Sequence, residues 1–480
     1  MIALTGGRVR TVDAQQSTAS VLLIEGERIA AVLDDPADIP AGATRVDLGG
    51  GCAVPGLTDS HVHFPSWAQE RGAIDLTGSE SVEHALALVG EYLDGDGVTW
   101  VRGKGWEDRL WPAEPTAAAL DALIADRPVA LWSHDHHSLW ANSAALALAG
   151  GDLETAGGVV EESGILREES AWRFYDRFGR PGFDETLAMM DAGIRDVHGN
   201  GVVAVHDKDG SRHAPELFAA LREAGGPSLR VRQSVPAERM RDGTGDYVKC
   251  FLDGTLGSGT AAMLDGRGLH IMGAAEFQAT VAEAAELGLP CSVHAIGDLA
   301  NREALDAYEA TRHLWEPRGL RQRMEHAQCL HPDDLPRFAA LGITASVQFQ
   351  FALSDEHVAE REWPGLLDGA YAWRSLLDAG TILVNGSDAP IEPLDPLAGM
   401  RAGVLREWRA HEAVTVEEAL HAHTAAPAWL AGEEAERGRL RAGMLADVTV
   451  LDRDPVEDLA GASVVATMLG GEWVFGPFSR

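Results

Sequence analysis

The feature that most constrains this chain is an alternation of strand-length apolar runs with segments of helical character. Helical candidates such as 274–288 and 333–342 fall between the runs. Strands separated by amphipathic helices favour parallel pairing, because a helix carries the chain back between two parallel strands. The alternation therefore predicts an α/β fold with a TIM-like (β/α)8 barrel, which needs eight strands. Eight apolar runs are present, at 57–64, 201–207, 229–235, 247–254, 290–298, 323–328, 343–349 and 381–390.

Three parts of the chain depart from this alternation. Residues 1–54 and 431–480 both contain short β-branched runs broken by Gly, Asp and Pro. Neither end is long enough to bury a core by itself, so we expect both to form one composite β domain. Residues 66–200 are too long for a single crossover and contain predicted helices at 80–93, 116–125 and 184–198. We expect them to form an inserted α/β lobe after the first barrel strand, over the barrel mouth. The barrel then comprises residues 55–65 and 201–430.

The charge of the chain limits its partners. With 39 Lys and Arg against 74 Asp and Glu, the formal net charge at pH 7 is −35. Such an acidic surface repels phosphate groups, which argues against nucleic acid and membrane surfaces as partners. The partner we expect is a small-molecule substrate. The sequence shows neither an export leader nor an apolar run of membrane-spanning length, and its four cysteines are far apart. We therefore expect a cytoplasmic protein with reduced thiols, and a homo-oligomer stays open.

Polar side chains of metal-binding type stand at the ends of the predicted barrel strands. The carboxyl ends of parallel barrel strands converge on one rim, where enzymes of this fold place their sites. Two histidines in an HxH pair on a strand share a face, and imidazole with carboxylate suits a divalent metal such as zinc. The candidate site residues are His61 and His63, Lys249, His294, His326 and Asp388.

Each of these residues also has a structural interpretation. A second HxH run, at 421–423, lies in a predicted helical segment, 415–430, so such a pair is weak evidence for a metal. His294 or His326 alone is typical of a hydrogen-bonded structural histidine. Lys249 could extend its amine to the rim, and Asp388 could cap the following turn. The ordered set is more specific than any member, because packing does not require ligand-type groups at five strand ends.

Several motifs resemble those of the amidohydrolase superfamily, in particular its YtcJ-like branch, which includes N-substituted formamide deformylase. The resemblance covers most of the chain, including the lobe and the C-terminal run GRLRAGMLADVTVLD, which is typical of the superfamily's composite β-sandwich. The motifs that carry it are DSHVHF, VKCFLDGTLGSGTA, HAIGDLANREAL, RMEHAQ and NGSDAPIEPLDPL.

The resemblance implies a binuclear metal site with two divalent ions, zinc by the nature of the ligands. In that site Lys249 bridges the ions after carbon dioxide carboxylates its amine, since an anionic carbamate links two cations and a neutral amine does not. Metal-bound hydroxide attacks the substrate, and Asp388 transfers the proton to the leaving nitrogen. The first ion is bound by His61, His63 and Asp388, and the second by His294 and His326.

The resemblance also suggests substrate contacts. In the lobe, His137 and nearby Asn142 are similar to a segment that reaches the site, although a polar loop with a helix cap explains them equally well. Trp106 could line a pocket or pack in a core. Gln348 ends the family's SVQ motif. Beyond it the chain departs from the branch, because an aromatic stretch, 349–351, replaces the usual proline and histidine.

The function expected from these residues is hydrolysis of a non-peptide C–N bond, in an amide or an N-substituted formamide. The same metals would serve an ester, carbamate or phosphoester hydrolase or a ring deaminase. A third hypothesis is a non-catalytic relative that uses the barrel as a scaffold. The complete set of ligand positions disfavours the scaffold, which has no need of Asp388 beside four histidines.

Overall fold

The computed structural model describes residues 1–93, 100–107, 111–133, 138–149, 153, 158–210, 213–257 and 259–478. The chain divides into two compact units, one formed by Met1–Trp67 with Asp191–Arg480 and the other by Ala68–Met190. The predicted domain boundaries stay a prediction. Within the described ranges, no helix combines the length and the apolar composition needed to cross a membrane.

A parallel barrel forms the centre of the first unit and confirms the predicted fold class. Its eight strands pair in chain order, each parallel to the next. Most of their residues are buried, as expected for parallel strands covered on both faces. The strands are β1 (Leu57–Val62), β2 (Val202–Asp207), β3 (Arg230–Pro236), β4 (Tyr247–Phe251), β5 (Cys291–Ala295), β6 (Arg323–His326), β7 (Thr344–Val347) and β8 (Leu383–Asn385).

Backbone hydrogen bonds between β1 and the residues that follow β8 bring the two ends of the barrel sheet together. The N–H of Asp388 donates to the carbonyl of His61 at 2.7 Å, and the N–H of His63 donates to the carbonyl of Ala389 at 2.9 Å. Val62 and Ala389 form a parallel bridge there. These contacts place the start and the end of the barrel side by side.

Helices cover the barrel between the strands. The helix Asp298–Trp315 buries Ala300, Ala304, Tyr308 and Trp315, the spacing of one apolar helical face. The predicted helical segment 415–430 is divided at Thr424, where the backbone leaves the helical region. The helices are Ala214–Glu223, Ala274–Glu286, Asp298–Trp315, Leu335–Leu341, Phe351–Ser354, Glu356–Glu362, Trp373–Asp378, Pro396–Val404, Val416–His423 and Ala425–Leu430.

The two ends of the chain share a sheet, as predicted. Cys52–Pro55 pairs antiparallel with Val448–Leu451, so N-terminal and C-terminal strands contribute to one core. The six-stranded sheet runs Glu472–Phe475, Val464–Leu469, Val448–Leu451, Cys52–Pro55, Arg8–Arg10 and Thr18–Ala19. A four-stranded sheet runs Arg28–Leu33, Val21–Glu25, Ile2–Thr5 and Thr44–Asp47. The four cysteines of the chain are buried and form no disulfide.

The lobe, Ala68–Met190, is built on its own six-stranded sheet. That sheet runs Gly158–Val160, Ile165–Glu168, Ser138–Ala141, Val129–Ser133, Val101–Trp106 and Ile74–Asp75. The predicted helices near 80–93, 116–125 and 184–198 correspond to observed ones. The position of the lobe over the barrel mouth stays a prediction. The helices after β1 are Phe64–Arg71, Val82–Leu93, Ala117–Leu123, Ser143–Ala149, Glu169–Phe174 and Phe183–Gly199.

Candidate metal centre

The six candidate ligands lie in barrel strands, toward their carboxyl ends, or shortly after them. Three histidines are among the last two residues of their strands, Lys249 is the third of five residues in its strand, His63 directly follows its strand, and Asp388 comes three residues after its strand. Their side chains are buried, apart from that of His63, which is 26% exposed. The residues are His61 in β1 and His63 after it, Lys249 in β4, His294 in β5, His326 at the end of β6 and Asp388 after β8.

Asp388 lies between the two histidines of the HxH pair. Its Oδ1 atom is 3.1 Å from His61 Nε2 and 3.4 Å from His63 Nε2. The ligand atoms of His61, His326 and Asp388 all lie within 4.8 Å of one another, close enough to hold one metal ion. These distances bring together residues from β1, β6 and β8.

The remaining histidines continue this cluster. The ring centroids of His61 and His326 are 4.9 Å apart, and those of His326 and His294 are 4.4 Å apart. The ring centroids of His61 and His63 are 5.8 Å apart. The four imidazoles therefore form a series of neighbouring rings, with His63 and His294 as its two end members. Two ions bound at this cluster would each have imidazole nitrogens nearby.

Lys249 supplies an amine without a partner beside this group. Its Nζ is buried, has no hydrogen-bonding partner among the described residues and lies 4.3 Å from the ring centroid of Phe251. Burial lowers its pKa to about 8, so the neutral amine is more accessible than in an ordinary lysine. A buried amine without a hydrogen-bonding partner is consistent with a lysine that is carboxylated, because the carbamate forms from the deprotonated amine.

Hydrogen bonds select which nitrogen each ring of the HxH pair presents. His61 Nδ1 bonds to Glu325 Oε2 at 2.7 Å, and His63 Nδ1 bonds to Asp209 Oδ1 at 2.7 Å. A carboxylate accepts, so Nδ1 carries the proton in both rings. The Nε2 atoms, which face Asp388, are then available to bind a metal ion, and histidines at metal sites are usually held by a carboxylate in this way.

The other two rings are held by neutral groups. His326 Nδ1 lies 2.8 Å from Gln348 Oε1, which leaves Nε2 available for an ion. His294 Nε2 lies 3.1 Å from the carbonyl oxygen of Gly254, which leaves Nδ1. Each of the four histidines thus has one nitrogen engaged with protein and one available for an ion.

The pKa values fit a site that receives cations. Burial lowers the pKa of His61 below its ordinary value, and it lowers the pKa of His326 further. Burial also lowers the pKa of His294 to about 3. These three imidazoles are therefore neutral. Burial would also lower the pKa of His63, but its hydrogen bonds to Asp209 and Asp388 raise it to about 10. A metal ion at His63 Nε2 would take the place of that proton.

The backbone at two of these residues adopts unusual conformations. His326 has a φ of 73° and Asp388 a φ of 58°, both in the left-handed region that non-glycine residues rarely occupy. Such conformations persist where the surrounding structure enforces them, often at functional sites. Next to β8, a Cβ on Gly386 would lie 2.2 Å from the backbone nitrogen of His61, so only glycine lets the turn approach β1.

The predicted substrate residues are placed differently. Gln348, 2% exposed, contacts His326. Trp106 is 1% exposed inside the lobe, where its indole N–H donates to the carbonyl of Leu131 at 2.7 Å, which supports the packing alternative. Asn142 caps the helix Ser143–Ala149 through a bond from Ala145 N–H. His137 lies outside the described residues, and these substrate roles stay predictions.

The second HxH run contributes no ligand group in the described part of the chain. His423 is buried, with Nε2 3.2 Å from Asn385 Nδ2 and Nδ1 3.3 Å from the carbonyl oxygen of Thr58. Its contacts are those of a structural histidine, as the weak evidence of the pair suggested.

Sequence reasoning missed the residues that support the ligands. Asp209 and Lys208 lie directly after β2, and Glu325 lies in β6 beside His326. A signal was available, since the run HDKDG places three charges at the end of an apolar strand, where parallel packing leaves no solvent. Charged residues at such a position are expected to have partners inside the barrel.

A parallel barrel with histidine and aspartate side chains of metal-binding type gathered at the carboxyl ends of its strands is typical of metal-dependent barrel hydrolases. Residues 44–475 match the Amidohydrolase family, and the chain belongs to that family. The fold is similar to that of an uncharacterized metal-dependent hydrolase from Pyrococcus furiosus, with a TM-score of 0.82, 28% identity, and coverage of 95% of this chain and 99% of that one.

Two relatives match along most of their length. YtcJ of Bacillus subtilis (strain 168) is 30% identical over 461 residues, which cover 86% of each chain. N-substituted formamide deformylase of Arthrobacter pascens is 27% identical over 518 residues, covering 96% of this chain and 95% of that one. The expected resemblance to the YtcJ-like branch is thereby confirmed.

Proposed function

We propose that this chain is a binuclear metal-dependent amidohydrolase that hydrolyses a non-peptide C–N bond in an amide or an N-substituted formamide. The observation that carries the proposal is the position of Asp388. Its Oδ1 lies within 3.1 Å of His61 Nε2 and 3.4 Å of His63 Nε2, next to the cluster formed by the other two histidines. The name of the Arthrobacter relative supports the choice of a formamide C–N bond.

The residues fit two divalent ions. The proposed carbamate on Lys249 would bridge the ions, and its buried amine without a hydrogen-bonding partner supports that modification. Nitrogen and carboxylate ligands suit zinc. Ions held there would supply Lewis acidity, which activates water and polarises a carbonyl. One ion is assigned to His61, His63 and Asp388, and the other to His294 and His326.

Asp388 is the proposed proton shuttle. A carboxylate at this position can accept a proton from water and donate it to the departing nitrogen, without which an amine leaves poorly. Burial would raise the pKa of Asp388, but the neighbouring His61 and His63 lower it well below its ordinary value. The carboxylate is therefore ionised, which is the form that can accept a proton.

The partners and the compartment form part of the same proposal. A small-molecule substrate is consistent with the enzyme family, and the strongly negative net charge disfavours nucleic acid. The four buried cysteines without disulfides support a reducing cytoplasm.

Elemental analysis and a substrate panel test the proposal together. We expect close to two divalent ions per chain, and turnover of N-formyl or N-acyl amines that stops after chelation and returns with zinc. Turnover restricted to ester, carbamate or phosphoester compounds would replace the C–N assignment by one of the other hydrolases. A full-length chain that binds no metal and turns over none of the panel would support the scaffold.

A further inference from the structure

The buried carboxylate of Glu325 lies beneath the candidate metal centre and joins it to the barrel interior. Its side chain is fully buried, and its Oε2 atom accepts from His61 Nδ1 at 2.7 Å. Its Oε1 atom lies 3.0 Å from Lys208 Nζ, 2.5 Å from Ser292 Oγ and 2.5 Å from Arg323 Nε. One carboxylate therefore receives donors from β1, β5, β6 and the residue after β2.

Two of these donors are buried cations. The side chains of Lys208 and Arg323 are 0% and 4% exposed. Removing two cations and an anion from water is unfavourable, and apolar residues of similar volume would often stabilise a core as well or better. Stability alone therefore does not explain why the barrel keeps this group.

Lysine is rare in this protein. Only three of its 39 Lys and Arg residues are lysine, and two of them, Lys208 and Lys249, are buried in the barrel. The third, Lys104, is half-exposed in the lobe and pairs with Glu70. Because arginine supplies nearly all other cations, a buried lysine at position 208 indicates a local need for a compact ammonium group.

The geometry shows what Glu325 does to His61. By accepting from Nδ1, the carboxylate fixes the proton on that nitrogen and turns Nε2 toward Asp388 Oδ1, 3.1 Å away. Arg323 Nη2 also donates to Oε2 at 3.2 Å, so the oxygen that meets His61 is held from a second side. The carboxylate has little freedom to rotate.

We propose that Glu325, held by Lys208, Arg323 and Ser292, is the positioning residue that orients His61 for metal binding. The inference rests on the proposed function, in which His61 is a metal ligand. The alternative is that Glu325 only balances the charge of the two cations. A carboxylate that orients a metal-binding histidine typically changes metal affinity by about 10–100-fold when it is removed.

Glu325→Gln alone cannot separate the two roles, since it leaves Lys208 and Arg323 without their anion and thereby also changes the charge balance on which folding depends. The double variant Lys208→Met with Glu325→Gln removes one cation together with the anion, so the net charge of the group stays as it is in the native chain. A matched control is Glu412→Gln. Glu412 is a carboxylate that is 3% exposed and accepts from the backbone N–H and hydroxyl of Ser375, with no contact to the candidate ligands.

The experiment measures metal affinity of the full-length protein by competition between zinc and a chromophoric chelator, with thermal unfolding of the metal-free protein as the second readout. We expect Glu325→Gln to weaken zinc binding by about 10–100-fold. The double variant should recover thermal stability and keep the weakened zinc affinity. Glu412→Gln should lower stability and bind zinc as the native chain does.

The contrary results are distinct. Zinc affinity restored in the double variant would show that Glu325 acts only through charge balance, and unchanged affinity in Glu325→Gln would overturn the inference directly. If Glu325→Gln does not fold, the double variant alone decides between these outcomes. A native chain that binds no zinc would overturn the proposed function and the inference with it, whereas native binding with unaffected variants would overturn the inference alone.

Discussion

Asp388 and His61 contact each other at two points, once through the backbone and once through their side chains. The N–H of Asp388 donates to the carbonyl of His61 at 2.7 Å, and Asp388 Oδ1 lies 3.1 Å from His61 Nε2. The first contact joins the end of the barrel to its beginning, and the second brings a carboxylate to a candidate ligand. Closure of the barrel and assembly of the site therefore depend on the same pair of residues.

Replacement of Asp388 by Asn tests its chemical role. The amide keeps an oxygen at the same place but cannot accept and return a proton, so we expect the metal content to persist while kcat falls by about 10²–10⁴-fold. Steady-state kinetics with elemental analysis measure both. Asp378→Asn, at a carboxylate whose side chain is 69% exposed, is the control and should leave both values unchanged. Retained turnover in Asp388→Asn would assign proton transfer to another group.

Replacement of Lys249 by Ala tests the carbamate. We expect loss of metal and of turnover, because the bridging anion is absent, and partial recovery of both when acetate or propionate is added. Lys104→Ala removes a lysine of the lobe that pairs with Glu70 at 2.6 Å, and it should need no such rescue. A Lys249→Ala protein that is indifferent to small carboxylates would indicate a mononuclear site.

Replacement of Trp106 by Phe distinguishes core packing from substrate contact. The change removes the buried hydrogen bond to the carbonyl of Leu131, so we expect the free energy of unfolding to fall by about 1–3 kcal/mol. Trp172→Phe, at a tryptophan that is 43% exposed, should change it by less than about 0.5 kcal/mol. Urea denaturation measures these values, and a large rise in KM for Trp106→Phe with native stability would restore the substrate role.

The ion pair between Arg10 and Asp454 joins the two ends of the chain and predicts that stability depends on pH. Burial would raise the pKa of Asp454, but hydrogen bonds from Arg10 and from the N–H of Val456 lower it below its ordinary value. A lowered carboxyl pKa means that folding favours the ionised form. Its contribution is present above the unfolded pKa of about 3.9 and is lost as the pH falls through the lower folded value.

Asp454→Asn should therefore reduce the free energy of unfolding at pH 7 by about 2 kcal/mol, the range of a hydrogen bond to a charged group. At pH 3 and below, the native chain and the variant should become more alike. Chemical denaturation at both pH values measures the difference. Asp458→Asn, in an ion pair whose side chains are about half-exposed, should have a much smaller effect at pH 7. An equal effect of the variant at pH 7 and at pH 2 would contradict the assignment.

The barrel was predictable because its signal is local. Each strand is an apolar run of the right length, and each ligand candidate stands at the end of such a run, so the parallel arrangement alone brings His294 and Asp388 to one rim. The sheet shared by the chain ends was predictable for the same reason, since both ends are β-rich and too small to fold separately. The division of the segment 415–430 at Thr424 was missed, because a single residue with a non-helical backbone leaves no periodic signal.

The sequence by itself determined the fold class and which residue types reach the rim, because both follow from the order of runs along the chain. Only the tertiary structure decided how those residues are held. Glu325 and His61 are 264 positions apart in the chain, and Asp209 and His63 are 146 apart, so their hydrogen bonds exist only after the barrel has formed. The choice of ring nitrogen depends on angles and distances across the barrel, and no pattern of neighbouring residues encodes these.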